Sequence, residues 1–480
     1  MISVNVFPDD VLLAVFDFFV DEDPDAWHSL VHVCQRWRCV VFGSPRRLNL
    51  QLFCTPGTPR ITLDVWPSLP IAIWAHDCVI EDLDNMVALL DPSDRVCQIN
   101  LMSIPTSQYL ERLLEGMQKP LPGLKNLALW WNPFVTTPVP VVPDSFLSGY
   151  APCLRDLSLN RIPFPGLPKL LLSATDLVSL HLLGIPHSGY ISPEAMVASL
   201  STSTNLRSLY LIFRSSRSHP DRESRHRPLP KRTIFPVLTE LRFQGVSEYL
   251  EVLLLGIDAP RLSTLHISFF DQIEFGAPNL VQFICRTPRL KELERAHVSF
   301  EFGITRVNLL SRTSGCRTFS VGILCREFNL HLSSLQEVLT PSLPPLSTLE
   351  HLYIHEGPLT QLDWQGDIEN IPWLELLYPF ASVKNLYLSE HFTPRIALCL
   401  QFLVGNRTTK LLPSLENIFL EGHRDEPLGP VQEGIRQFVA TRLASGRPIT
   451  VTRWERHEDE DYDEDCCGFD GDYEEDEDED

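Results

Sequence analysis

From Val96 onward, apolar residues recur in the pattern L-x-x-L-x-L, with Val, Ile or Phe allowed in each slot. Clear copies start at Val96, Leu124, Leu154, Leu177, Leu206, Leu238, Leu262, Leu349, Val383 and Leu415, and weaker copies start at Leu290 and Cys316. Successive copies lie 23 to 34 residues apart, which leaves room for one strand and one helix. The pattern therefore predicts a body of repeated strand and helix units.

Helical stretches are predicted between these strands, at 108–118, 193–201, 247–257, 278–286, 327–339 and 394–404. Two more strands are predicted upstream, at 47–52 and 69–74, and a helix at 431–443 and a strand at 449–454 are expected to cap the end. The alternation predicts an α/β fold, a leucine-rich-repeat solenoid of parallel strands with helices on its convex side. Regular repeats end each strand with Asn or Cys, and here only Asn132 does so, which indicates an irregular solenoid.

Ahead of this body, residues 7–42 contain two apolar runs with helical spacing. Pro8 is tolerated in a first helical turn, and Asp9 and Asp10 suit the positive end of the helix dipole. An acidic run containing Pro24 ends the first helix, and the second is predicted from Trp27 to about Val41. Two short helices cannot bury so much apolar surface by themselves, so part of it is expected to contact a partner.

The segments FPDDVL at 7–12, LVHVCQRWR at 30–38 and VVF at 40–42 resemble the F-box, although Phe7 stands where Leu is usual. F-box modules bind the Skp-type adaptor of cullin-based SCF ubiquitin ligases. The resemblance implies that the adaptor would contact Phe7, Pro8, Leu12, Val15, Phe16, Leu30, Val33, Cys34 and Trp37. The body in turn resembles the leucine-rich domain of a large group of fungal F-box proteins. The expected division is an adaptor-binding module at 1–45, a solenoid at 46–454 and a tail at 455–480.

Residues between the inward-facing leucines of each strand should point to the concave face of the solenoid, because side chains alternate along a strand. Tyr, Trp, His and Arg, which are enriched at binding hot spots, occupy many of these positions. The candidates for substrate binding are Trp130, Asn160, His181, Tyr210, Arg242, His266, Tyr353, His355, Tyr387 and Phe419. The alternative for any one of them is burial beneath a neighbouring loop or helix.

Charge is concentrated at one end of the chain. The formal net charge is -22, and residues 455–480 carry 17 acids against Arg456 alone, so the tail accounts for -16 of it. Such a tail is expected to be disordered; it either promotes solubility or binds basic partners such as histones. A basic segment at 214–232 is read as a solvated loop, as a site for an acidic or phosphorylated partner, or as a contact for the chain's own tail. Nucleic acid is not an expected partner of so acidic a chain.

Catalytic motifs are missing from the sequence: it contains no GxGxxG, Walker A, GxSxG or HExxH. His28 and His32 lie four residues apart but lack a third ligand, so they are interpreted as surface histidines, and neither a metal nor a cofactor is expected. The twelve cysteines include no C-x-x-C spacing, which favours a reducing compartment. No signal peptide or membrane span is recognised, so a cytoplasmic or nuclear protein is expected.

The sequence thus suggests a non-catalytic substrate receptor of an SCF-type ubiquitin ligase, with a cullin scaffold as a further partner. One alternative is a leucine-rich-repeat scaffold that binds basic proteins, similar in layout to acidic leucine-rich nuclear phosphoproteins and without a ligase role. Another is an F-box scaffold that binds the adaptor without transferring ubiquitin. The module at 7–42 separates the first alternative from the others, since acidic nuclear phosphoproteins lack it. A bound cullin would separate the receptor from the scaffold.

Overall fold

The computed structural model describes residues 7–22, 26–59, 61–217, 232–270, 277–291, 293–301, 304–311, 317–324, 339, 344–356, 371–401, 403, 410–422 and 433–455. Most of the basic segment, most of the predicted helix at 327–339 and the tail after residue 455 lie outside this part of the chain.

The N-terminal module consists of three helices, α1 Asp9–Glu22, α2 Trp27–Val33 and α3 Gln35–Gly43. Helix α1 begins at Asp9, as the first-turn signals predicted. The single second helix predicted from Trp27 to Val41 is wrong, because Cys34 is fully extended, with φ −162° and ψ 167°. Its Sγ accepts a hydrogen bond from the backbone N–H of Trp37 at 3.5 Å, so Cys34 caps α3.

Within the described residues, the body is a sheet of sixteen strands with helices packed on one face. The strands are β1 Leu52–Cys54, β2 Ile71–Ala75, β3 Val96–Ile104, β4 Asn126–Trp131, β5 Asp156–Asn160, β6 Ser179–Ile185, β7 Ser208–Phe213, β8 Thr233–Ile234, β9 Glu240–Gly245, β10 Ile257–Asp258, β11 Thr264–Phe270, β12 Arg295–Glu301, β13 Ile304–Leu310, β14 Thr318–Leu324, β15 His351–Glu356, β16 Asn385–Leu388, β17 Asn417–Glu421 and β18 Thr450–Trp454. Strands β8 and β10 form a separate parallel pair. The large sheet runs in the order β1-β2-β3-β4-β5-β6-β7-β9-β11-β14-β13-β12-β15-β16-β17-β18.

The helices of the body lie between strands in chain order, and many of them pack on the next helix along the chain. They are α4 Ile61–Val65, α5 Leu83–Leu89, α6 Ser107–Gly116, α7 Leu167–Ser173, α8 Pro193–Ser199, α9 Ser247–Gly256, α10 Pro278–Arg286, α11 Ile371–Leu377, α12 Thr393–Gln401 and α13 Glu433–Ala444. The prediction at 278–286 matches α10 at both ends, and the other predicted helices within the described ranges lie within a few residues of those observed.

Burial alternates along the strands as the repeat predicts. In β4, Leu127, Leu129 and Trp131 are buried against the helices, while Ala128 and Trp130 on the other face are half-exposed. Strands lie about 4.8 Å apart, whereas helices need about 10 Å each, so the sheet must curve with the helices outside. The helix-free side of the sheet is therefore the concave face, and the arrangement fits a leucine-rich-repeat solenoid.

The sheet departs from a parallel solenoid at one place. Strand β13 is antiparallel to both β12 and β14, and the meander is inserted in reverse order between β11 and β15. The prediction of parallel strands throughout is wrong here, and β13 was missed because Ile304–Leu310 alternates without the leucine spacing of the repeat. The weak copies at Leu290 and Cys316 do precede strands, β12 and β14.

The predicted strand at 47–52 is also displaced. Leu48 and Leu50 are buried, but their backbone N–H groups bond to Ser44 and Pro45, and Asn49 has a φ of +45°. This stretch is therefore a turn. Strand pairing begins only at β1, whose three residues pair in parallel with Ile71–Ile73 of β2.

The N-terminal module packs directly on the first repeats. The indole N–H of Trp27, on α2, donates to the carbonyl of Gln51 at 3.0 Å. The ring of Trp66, which follows α4, meets Trp27 edge-on at 5.3 Å and also contacts Phe42. The module and the solenoid share one apolar core, so the two parts are held in a fixed relative position.

The far end of the solenoid is held by a buried arginine. Arg442 on α13 is fully buried, and its Nη2 donates to the carbonyls of Leu412, Pro413 and Leu415 at 3.3 Å each. Leu412 has a φ of +43°, so the loop before β17 is strained and its carbonyls converge on the guanidinium. Arg442 thus joins the terminal helix to the last repeats.

Replacing Arg442 with Ala should destabilise the C-terminal repeats by about 3 kcal/mol, because buried carbonyls lose a charged donor and a cavity is left. Hydrogen exchange of β17 and β18 and chemical unfolding would measure the change. Arg436→Ala on the same helix is the matched control; this side chain is 63% exposed, and its loss should cost less than about 0.5 kcal/mol. Equal effects of the two substitutions would contradict the role given to Arg442.

Candidate functional site

Helix α1 is apolar on two sides. Leu12 and Phe16 are buried within the N-terminal module, whereas Val11, Val15 and Phe18 point outward and are 43%, 58% and 66% exposed. A helix that is apolar all round is normally buried on every side, because water disfavours such a surface. We call Phe7, Val11, Val15 and Phe18 the outward stripe.

The predicted adaptor-binding residues fall into two groups. Leu12, Phe16 and Leu30 are buried and Trp37 is half-buried, so these side chains pack the inside of the module. The exposed members are Phe7, Pro8, Val15, Val33 and Cys34. The outward stripe adds Val11 and Phe18, which the sequence analysis did not select because helical spacing alone does not show which of two apolar sides faces inward.

Arg36 on α3 fixes the start of α1. Its Nη2 donates to the carbonyl of Phe7 at 2.5 Å and to Oδ1 of Asp9 at 2.7 Å, and its Nε also bonds Asp9. The pair is largely solvent-exposed, so it orients the outward stripe more than it stabilises the fold.

The concave face arranges the predicted substrate-binding residues in rows. The strand register places one residue from each strand of the large sheet except β1 in a central row: Trp74, Asn100, Ala128, Ser158, His181, Tyr210, Arg242, His266, Ser320, Asn308, His297, Tyr353, Tyr387, Phe419 and Thr452. Seven of the ten predicted residues belong to it. Trp130, Asn160 and His355 lie two positions further along their strands.

Four rings of the central row form a continuous stack, which we call the aromatic ladder. His297 stacks on Tyr353 at 4.4 Å, Tyr353 on Tyr387 at 4.1 Å and Tyr387 on Phe419 at 4.4 Å. The rings are within 9° of parallel, as the spacing of adjacent strands favours. Trp454 of β18 meets Tyr387 edge-on at 5.3 Å. The sequence analysis missed His297 because only the meander brings β12 beside β15.

In the aromatic ladder the ring faces are stacked on one another. The ring edges and the tyrosine hydroxyl groups therefore face the concave side. A row of hydrogen-bonding side chains runs beside it. The amide of Asn417 donates to Asn385 at 2.8 Å, and His351 Nδ1 lies 3.4 Å from both Asn385 Nδ2 and Tyr387 OH. Aromatic edges flanked by amides suit an extended polypeptide, whose backbone needs hydrogen-bond partners.

A second cluster lies on β6, β7 and β9. His181 stacks on Tyr210 at 3.9 Å, and the guanidinium of Arg242 lies 4.8 Å from the centre of the Tyr210 ring. Arg242 also pairs with Glu240 at 2.7 Å. Burial lowers the pKa of His181, which favours its neutral form.

His266 is half-buried, so only part of its ring is available as a contact surface. Burial, with the charges of Arg242 and Arg306 nearby, lowers its pKa to about 4. Arg306 lies across Gly322 of β14: a Cβ at Gly322 would come within 3.2 Å of the Arg306 side chain and 3.3 Å of Ser268 Oγ. His355, in contrast, is buried, so it is a poor contact residue.

No cluster of metal ligands occurs among the described residues. His28 stacks on Trp27 at 3.7 Å and meets Trp66 edge-on at 5.1 Å, so it packs at the junction of the module with the body. Within the same residues, no helix is long and apolar enough to cross a bilayer.

The low pKa of His266 predicts a loss of stability on acidification. The unfolded chain binds this proton near pH 6.5 and the folded chain only near pH 4, so stability falls as the pH is lowered between these values. The loss should approach about 3 kcal/mol at the acidic end of this window. Unfolding curves of the wild type and of His266→Gln at pH 7 and 4.5 would test it. The wild type should lose more stability than the variant, and equal losses would contradict the assignment.

No protein-family model and no curated protein matches the chain. Among solved structures, the leucine-rich repeat-containing protein LegL7 from Legionella pneumophila matches with a TM-score of 0.26 and 12% identity, over 82% of this chain and 97% of its own.

Proposed function

We propose that this chain is a substrate receptor of an SCF-type ubiquitin ligase. In this proposal the N-terminal module binds a Skp-type adaptor, and the concave face holds a protein substrate. The observation that carries it is the outward stripe of α1, an exposed apolar surface in the segment that resembles the F-box. The chain itself would perform no catalysis.

Burying the outward stripe against a partner would remove its apolar side chains from water, which is worth about 1.5 to 3 kcal/mol for each large residue. The neighbouring Val33, at the end of α2, is 58% exposed and would extend the same contact. Leu12 and Phe16 would act from inside, by holding α1 on α2 and α3.

The shared core of the module and the solenoid suits a receptor. A substrate on the concave face would be held at a set distance from the adaptor, because Trp27 and Trp66 pack the two parts together. The local concentration of substrate lysines near the ubiquitin thioester would then be raised. The aromatic ladder is the surface proposed to hold that substrate.

A second candidate is a scaffold whose acidic tail binds basic proteins such as histones, without a ligase role. The tail charge of -16 favours it. The outward stripe would have no role in that function, so we rank the scaffold second to the substrate receptor. An F-box scaffold without ubiquitin transfer would keep the adaptor but bind no cullin.

Charged residues in the outward stripe should abolish adaptor binding without unfolding the protein. We expect Val15→Asp with Phe18→Asp to weaken co-purification of the Skp-type adaptor by at least about 100-fold, since two apolar contacts are lost and charge is buried. Because both side chains are exposed, thermal stability should change little. Leu172→Asp on α7 is the matched control, since Leu172 is also exposed but far along the solenoid.

Adaptor binding by the control and not by the double variant would support the proposed function. Failure of the unmodified chain to bind any Skp-type adaptor would refute it. A bound adaptor without a cullin would favour the scaffold that transfers no ubiquitin.

The aromatic ladder should be needed for substrate capture. Tyr353→Ala with Tyr387→Ala removes two stacked rings, and proteins that associate with the receptor when the proteasome is inhibited should fall at least about tenfold. Tyr150→Ala is the control, because Tyr150 is an exposed tyrosine outside the sheet. Adaptor binding should be unchanged in the double variant and in the Tyr150→Ala control. An unchanged set of captured proteins would exclude the ladder as the substrate site.

A further inference from the structure

Three carboxylates border the aromatic ladder on the side where its strands end. Glu356 is the last residue of β15, Glu421 is the last residue of β17, and Glu390 follows β16. These three strands are adjacent in the sheet, and they carry the two tyrosines and the phenylalanine of the ladder. We call Glu356, Glu390 and Glu421 the acidic edge.

Hydrogen bonds between neighbouring strands hold the acidic edge together. Oε1 of Glu356 accepts from the Ser389 hydroxyl at 3.0 Å, and Oε2 of Glu421 accepts from the backbone N–H of Glu390 at 3.1 Å. His391 Nδ1 lies 3.1 Å from Glu356, and it carries a charge only when it is protonated. Across the described residues, no lysine or arginine forms an ion pair with the acidic edge. Its negative charge is therefore not matched by a permanent cation.

The strands below the ladder also carry an excess of acids. Strands β15 to β18, with the two residues on either side of each, contain six acids against three Lys or Arg. Lys384 is paired with Glu350 at 2.6 Å, where β15 and β16 begin. Arg453 donates to the backbone carbonyl of Glu421 at 2.9 Å and not to its carboxylate. This part of the concave face is therefore locally negative.

The rings beside the acidic edge add a surface that attracts cations. Both faces of Tyr387 are covered, by Tyr353 and Phe419, so the edge-on contact with Trp454 sets the edge of Tyr387 against the indole face. Trp454 is half-exposed and pairs with Glu421 in the strand register, so an indole lies next to a carboxylate. This combination favours a cationic side chain, through cation–π attraction and charge pairing.

An extended polypeptide fits the spacing of these groups. The three carboxylates occur on successive strands, so they span two strand steps, about 10 Å. Side chains on one side of an extended chain repeat every second residue, about 7 Å, and the long stems of lysine and arginine cover the difference. The intervening side chains point the other way, toward the amides of Asn385 and Asn417 on the opposite border of the ladder.

We propose that the aromatic ladder and the acidic edge bind an extended protein segment with lysine or arginine at alternate positions. The inference rests on the proposed function, because it names the class of substrate that the concave face takes. The backbone of the segment lies across the ring edges, and its basic side chains meet the acidic edge and Trp454. Neutral polar side chains between them meet the amides, and acidic segments are repelled.

Peptide binding to the full-length chain tests the proposal. The probe is a fluorescent peptide with the core Lys-Thr-Lys-Thr-Lys, and two comparison peptides carry Gln or Glu in place of every Lys. At about 0.15 M salt, the Lys peptide should bind at least about tenfold more tightly than the Gln peptide. The Glu peptide should not bind. A benzophenone group on the Lys peptide should crosslink to β15, β16 and β17.

Glu356→Gln with Glu421→Gln should weaken binding of the Lys peptide by about tenfold, because two anionic partners are lost. Each amide oxygen can still accept from Ser389 or from the N–H of Glu390, so the fold should be kept. Glu474→Gln with Glu475→Gln in the acidic tail is the matched control; it makes the same change of charge and should weaken binding less than about twofold. The single variant Glu390→Gln changes an exposed side chain and should weaken binding in the same direction, even where the double variant unfolds.

Equal losses from the two double variants, or equal affinity for the Lys and Gln peptides, would overturn the proposal. Crosslinks confined to the tail would also overturn it, because they assign basic segments to the tail. Self-association that Glu356→Gln with Glu421→Gln abolishes, without peptide binding, would assign the surface to a second copy and overturn it as well.

Adaptor co-purification is measured on the same variants and should not change. Adaptor binding without peptide binding would refute this inference alone. Peptide binding without adaptor binding would refute the proposed receptor function and leave the ligand class of the concave face in place.

Discussion

The structure depends on a mismatch between two repeat distances. Strands pair at about 4.8 Å, and helices pack at about twice that, so each added repeat curves the sheet away from its helices. Leu127, Leu129 and their counterparts face the helices, and every second residue must then lie on the inner side. The concave face is thus a direct consequence of the leucine pattern, and its rows of side chains follow from the register.

The meander changes this regular surface where it is inserted. By placing β14 beside β11 and β12 beside β15, it brings together residues that lie far apart along the chain. His297 extends the stack of Tyr353 and Tyr387, and Arg306 comes to lie near His266. The meander therefore adds to features that the regular repeats already provide, since Tyr353, Tyr387 and Phe419 lie on regular repeats.

Local pattern predicted most of the fold. Leucine spacing located the strands, and helix α10 was predicted with its observed bounds because Pro278 begins it and the apolar spacing ends at Arg286. Strand β13 and the reversed order of the meander were not predictable, because strand neighbours are set by tertiary packing. The burial of His355 has the same origin. The break at Cys34 was missed because its neighbours continue a helical pattern.

The candidate site was predictable only in part for a related reason. Alternation identified which residues face inward, but the stacking that turns Tyr353, Tyr387 and Phe419 into one surface requires the register between strands. Stacked rings lose little side-chain freedom on binding, because the neighbouring rings already hold them, and a rigid aromatic surface is suited to recognition. The same rigidity extends through the shared core to Trp27 and Trp66, so the outward stripe and the concave face belong to one body. The two surfaces therefore keep a fixed position relative to each other.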